Sequence, residues 1–132
     1  MKNVVALNHV SLLVSDTASA LDFYQGLLGL EVDESRPVMS FPGAWLQVGA
    51  AQIHLLELPD LLRGATLPEH GGRDRHVAFS INNIAALENT LKQAEINYTR
   101  SRSGRNALFF RDPDGNALEF IEQQECANVE AL

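Results

Sequence analysis

The chain has 132 residues, 45% hydrophobic and 20% charged, which suits one soluble domain or two small halves sharing a core. Its formal charge of -7 argues against nucleic acid and anionic membranes as partners, because binding phosphate needs a basic footprint. No apolar run reaches the ~20 residues that span a bilayer, and Met1–Leu7 runs into a strand pattern without a signal peptide's apolar stretch, so the expected location is cytoplasmic.

Alternation over residues 4–14 predicts a strand with Val10, Leu12 and Val14 on one face and His9, Ser11 and Leu13 on the other. Asp16 is the expected N-cap of a helix that runs to about Leu28 and stops at Gly29, with Leu21, Tyr24 and Leu28 as its apolar stripe. Strands are predicted near 30–35, 44–48 and 51–57, separated by Pro42-Gly43 and Gly49. Residues 58–74 carry three glycines and two prolines without periodicity, and read as a linker long enough to be a lid. A strand at 75–81, a helix from Ile84 to Ala94 capped by Asn82 or Asn83, and strands at 97–101, 106–111 and 116–122 complete the order. Asp112-Pro113-Asp114-Gly115 is a tight turn between the last two strands. Residues 123–132 form a polar tail, and its Cys126, the sole cysteine, has no internal disulfide partner.

The fold class is therefore α+β, a βαβββ module used twice over about 4–57 and 75–122. His9 and His76 open matching strands 67 residues apart, while His54 and Glu119 sit in matching closing strands 65 residues apart. By alternation all four project from the face that the helices leave uncovered. Imidazole and carboxylate together suit one divalent ion, Zn, Ni, Fe, Mn or Co. The competing reading is that each histidine is simply hydrogen-bonded and half-buried. A lone buried Glu119 would be costly without a cation.

Leu7-Asn8-His9-Val10, Leu21-Asp22-Phe23-Tyr24, Leu27-Leu28-Gly29-Leu30, Arg75-His76-Val77-Ala78-Phe79, Arg111-Asp112-Pro113-Asp114-Gly115-Asn116 and Leu118-Glu119 together resemble the vicinal oxygen chelate superfamily. That superfamily includes glyoxalase I and extradiol dioxygenases, and the likeness covers about residues 6–122. It is strongest to glyoxalase I-like proteins whose substrates are unsettled. The resemblance implies a curved mixed sheet forming a cup around one ion, with helices on the outer face and His9, His76 and Glu119 as ligands. His54 stands at the fourth position, commonly Glu in glyoxalase I and Gln in methylmalonyl-CoA epimerase. With His54 the set is three histidines and a glutamate; without it, the two-His-one-carboxylate triad of non-haem iron oxygenases.

The expected activity is a metal-dependent isomerase or lyase reaction through a metal-stabilised enediolate, with Glu119 as ligand and base and His70 as a further acid–base group. An Fe(II)-dependent extradiol-type dioxygenase is the alternative, and a metal-free drug-binding module is the non-enzymatic rival. Arg73, Arg75, Arg100, Arg102 and Arg105 make up half of the 10 basic residues. Of these Arg73, Arg75 and Arg105 are the expected contacts for a small anionic substrate. His70 has a competing reading as a solvated loop residue, since loops favour exposed polar side chains, and Glu57 and Glu122, by alternation, point away from the metal face and are structural or solvent-facing. Met39, Phe41 and Trp45 fit either a pocket wall or core. By resemblance the expected assembly is a homodimer, with the site inside one chain or shared across two.

Overall fold

Two four-stranded mixed sheets carry the chain, in the computed structural model that describes residues 3–61 and 66–123. The calls on residues 124–132, Cys126 included, and on residues 62–65 lie outside the described residues. The element order is β1 (His9–Val14), α1 (Thr17–Leu21), β2 (Glu31–Val32), β3 (Gly43–Val48), β4 (Ala51–Glu57), then β5 (His76–Ile81), α2 (Ile84–Gln93), β6 (Thr99–Arg100), β7 (Ala107–Arg111) and β8 (Ala117–Glu122). The sheets run β1-β4-β3-β2 and β5-β8-β7-β6, so the βαβββ module is repeated with the same strand order. Two compact units result, residues 1–65 with 112–116, and residues 66–111 with 117–132.

In the first unit β1 pairs parallel with β4, and His9 lies opposite Gln52 and Ser11 opposite His54. In the second, β5 pairs parallel with β8, and His76 lies opposite Ala117 and Ala78 opposite Glu119. The registers match residue for residue, which makes His54 and Glu119 equivalent positions of the repeat. The predicted first strand is shorter than expected because residues 4–8 lie before the ladder, which begins at His9 opposite Gln52. β2 and β6 shrink to two residues each, both at sheet edges with one neighbour only.

The predicted helix to Leu28 begins as expected, with the Asp16 carboxylate accepting from Ser19 N at 2.9 Å. After Leu21 it widens into a π-helical segment, Asp22–Leu27, whose Leu28 N–H reaches back to Phe23 O. The segment buries Phe23 and Tyr24, consecutive aromatics set edge to face at 5.0 Å. Gly29 then takes φ +76 and ends it. Asn83 caps α2 through Ala86 N at 3.0 Å. Glu57 Oε1 accepts from Thr17 N at 2.8 Å and Glu122 Oε1 from Ile84 N at 3.0 Å. Each closing strand thus supplies a carboxylate to the start of its own unit's helix, where free N–H groups and the helix dipole favour a negative charge.

Tyr24, Leu46, Leu55 and Val14 are the largest fully buried side chains of the first unit, and Ile84, Leu91, Leu108 and Leu118 those of the second. On β4, Ile53 and Leu55 are buried while His54 between them is half-buried, as alternation requires. Among the described residues no helix is long and apolar enough to cross a membrane.

Candidate metal centre

The second unit builds one pair of ligand candidates. His76 Nδ1 lies 2.9 Å from the Asp74 carbonyl, an acceptor only, so Nδ1 carries the proton. In the neutral ring Nε2 is then a lone pair, and it faces Glu119 Oε1 at 3.2 Å. Glu119 is 3% exposed. Two acceptors facing one another, the carboxylate buried and the imidazole about a quarter exposed, call for a cation between them, either a proton or a metal ion. The spacing fits an ion: two donors each ~2 Å from a tetrahedral metal stand about 3.3 Å apart. Glu119 Oε2 is engaged by the Arg105 guanidinium at 3.2 Å, which leaves Oε1 as the oxygen turned to His76. The donor set of nitrogen and carboxylate oxygen suits zinc, iron, nickel, manganese or cobalt.

The first unit brings His9 and His54 together differently. Their rings stack at 3.9 Å and 14°, and Trp45, directly opposite His54 across the β3–β4 ladder, covers its other face at 4.3 Å and 6°. His9 Nδ1 donates to Asn8 Oδ1 at 2.7 Å, leaving Nε2 free. His54 Nε2 donates to Gln52 Oε1 at 2.8 Å, and Gln52 is itself held by Asp33 and Gln47. Burial first, and then the neighbouring His9, keep the His54 pKa below the ordinary histidine value. Among the described residues, no group of three or more His, Cys, Asp or Glu side chains stands ready to hold an ion. The four candidates come as two pairs, one to a unit.

A cavity of about 350 Å³ opens beside His76 and Glu119 in the second unit, lined also by His70, Gly72, Phe109, Arg73, Arg102, Arg105, Ser101 and Ser103. His70 is buried, not solvated: Nδ1 meets Thr99 Oγ1 at 2.6 Å and the ring packs edge-on to Phe109 at 4.8 Å. Desolvation, then Arg102 and Arg73, lower its pKa, so the ring is neutral at neutral pH. Gly72 makes this packing possible, since a Cβ there would lie 2.9 Å from His70 Nε2. Gly71–Arg73, in the segment expected to be a linker or lid, form a 3₁₀ turn against β7 and β8.

Of the predicted anion contacts, Arg73 and Arg105 line this cavity and Arg75 does not. Arg75 precedes His76 in an extended run, so alternation turns it away from the histidine's face. Arg102 takes a place on the wall that sequence reasoning had not given it; its signal was the basic cluster 100–105 itself. Thr99 and the Trp45 stack were also missed, because a ring's orientation depends on cross-strand neighbours.

The sequence model of the Glyoxalase/Bleomycin resistance protein/Dioxygenase superfamily matches residues 6–120. Glyoxylase I 4 of Arabidopsis thaliana is 30% identical over 122 residues, covering 89% of this chain and 70% of the relative. Lactoylglutathione lyase of Haemophilus influenzae is 30% identical over 127 residues, covering 88% of this chain and 91% of the relative. Among solved structures, a mutant of the fosfomycin resistance protein FosX of Listeria monocytogenes, complexed with Mn(II) and 1S,2S-dihydroxypropylphosphonic acid, aligns with TM-score 0.69. It is 18% identical, the alignment covers 96% of this chain and 98% of that one, and the likeness is one of fold. Repeated module, matched registers and a family match over 115 of 132 residues agree: the chain belongs to the glyoxalase/bleomycin resistance protein/dioxygenase superfamily.

Proposed function

We propose that the protein is a divalent-metal-dependent enzyme that performs isomerase or lyase chemistry on a small anionic substrate. The observation that carries the reading is the His76–Glu119 pair, a partly exposed imidazole 3.2 Å from a buried carboxylate, with the histidine tautomer fixed by Asp74. The ligand candidates for such an ion are His76 and Glu119 in the second unit and His9 in the first, with His54 the fourth. When bound, the ion supplies Lewis acidity toward the vicinal oxygens of a substrate. His70, buried at the cavity wall, is one acid–base candidate, and Glu119 is the other. Relatives named as a glyoxylase and a lactoylglutathione lyase support this chemical class. A cytoplasmic location belongs to the same reading, and so does a homodimer, for which Val4, Val5, Leu7 and Val38, apolar side chains left exposed on the first unit, offer a surface.

Arg73 and Arg102 have no acidic partner within ion-pair distance among the described residues, in a chain of net charge -7. They and Arg105 would hold the substrate's anionic group. Arg102→Gln is therefore expected to weaken binding of inorganic phosphate about tenfold by calorimetry, the usual worth of one charged hydrogen bond. Unchanged phosphate affinity would remove Arg102 from the site.

The stacked His54 favours a second reading, an Fe(II)-dependent dioxygenase using the two-His-one-carboxylate set. Metal analysis of protein purified without chelators, with turnover of α-hydroxycarbonyl and catechol panels under air and under argon, separates them. About one zinc, nickel or manganese per site with oxygen-indifferent turnover of the first panel is the expected result. Iron with oxygen-dependent turnover of catechols would favour the second reading. Protein without metal and without turnover would leave a small-molecule-binding module.

A further inference from the structure

We infer that Trp45 is a positioning residue that keeps His54 out of the coordination sphere of an ion bound at His9, by clamping its imidazole in a three-ring stack. The inference rests on the metal-binding reading above and says which side chains of the first unit take part.

A metal–nitrogen bond lies in the plane of the imidazole that makes it. Rings stacked at 3.9 Å and inclined by 14° have planes that do not meet within the ~2 Å of such a bond, so both cannot hold one ion as they stand. One ring has to leave the stack. His9 is exposed, has only one face covered, and keeps Nε2 free. His54 is fixed on three sides: Trp45 covers one face, His9 the other, and Gln52 holds Nε2. Gln52 is in turn tied to Asp33 at 2.7 Å and to Gln47 at 2.8 Å. Swinging His54 toward an ion would break two ring contacts and a hydrogen bond, whereas His9 needs no such movement.

The repeat supplies an internal control. Trp45 lies opposite His54, and at the equivalent place in the second unit Phe109 lies opposite Glu119. Phe109 packs edge-on to His76 at 5.2 Å and 87°, and Glu119 Oε1 remains turned to His76. The same register position thus holds a ring in both units. In the second it supports a ligand candidate from the side; in the first it lies flat on the fourth candidate and holds it back.

The test uses Co(II) as the probe, its affinity measured by chelator competition and its coordination by visible absorption. His54→Phe keeps a ring in the stack and removes the nitrogens; it is expected to bind Co(II) within about twofold of the wild type and with the same spectrum. Trp45→Leu frees His54 and is expected to bind about tenfold more tightly with an altered spectrum. Trp45→Phe, which keeps a flat ring, should behave as wild type, and the gain should vanish in the Trp45→Leu/His54→Phe double variant. A tenfold or greater loss in His54→Phe, or a Trp45→Leu protein identical to wild type, would overturn the clamp while leaving the metal reading intact. Wild-type protein that binds no Co(II) would overturn both.

Discussion

Glu119→Gln is expected to lower affinity for a divalent ion by more than about 100-fold, beyond the 10–100-fold typical of groups that only support ligands. The reason is local. Glu119 is 3% exposed and its two oxygens are divided between His76 Nε2 and the Arg105 guanidinium. The glutamine keeps the shape but removes the charge that a cation at His76 would meet. It also turns Arg105, whose side chain is 57% exposed, into a cation without its partner. Water can solvate that guanidinium, so the fold should survive and the melting temperature should change little. Metal affinity by chelator competition, read beside a thermal melt, checks both halves. Wild-type affinity in the variant would remove Glu119 from the ligand set.

The second large effect is on stability. Asp112→Ala is expected to cost about 3–4 kcal/mol, a sizeable share of the 5–15 kcal/mol that holds a typical domain together. The Asp112 carboxylate, 4% exposed, accepts from Tyr24 OH at 2.6 Å and from Asp114 N, Asn116 N and Asn116 Nδ2 at 2.9 Å each. Burial and the facing carboxylate push the Tyr24 phenol far above its ordinary pKa, so it remains a donor. Removing Asp112 strands that hydroxyl on a side chain that is fully buried. Tyr24→Phe is expected to cost less, about 1–2 kcal/mol, because the carboxylate keeps three other donors. Urea unfolding of both variants decides it; equal losses would mean that the network acts only through the tyrosine.

These residues show how far pattern reading carries. The Asp112-Pro113-Asp114-Gly115 run announced a turn, and the turn is there, with Gly115 at φ +87. Nothing in the run announced that its aspartate would meet Tyr24, 88 positions earlier. The helix beginning at Asp16 was legible from its cap, but its π-helical continuation was not, because two adjacent aromatics were buried together there. His70 had two readings from its loop. Burial against Phe109 and Thr99 overturned the solvated one and set the ring on the wall of the cavity that His76 and Glu119 also line.

By itself the sequence determined the doubled βαβββ order, the equivalence of His54 with Glu119, and the sheet face from which each ligand candidate projects. Those are local properties, fixed by a period of two along a strand and by the turn residues at its ends. Tertiary structure alone decided what meets each side chain on that face. It set Trp45 flat against His54, turned Phe109 edge-on to His76, put Arg102 rather than Arg75 on the cavity wall and buried His70 against Phe109. Those outcomes depend on cross-strand neighbours and on segments far apart in the chain, and the periodicity of a single strand carries no information about either.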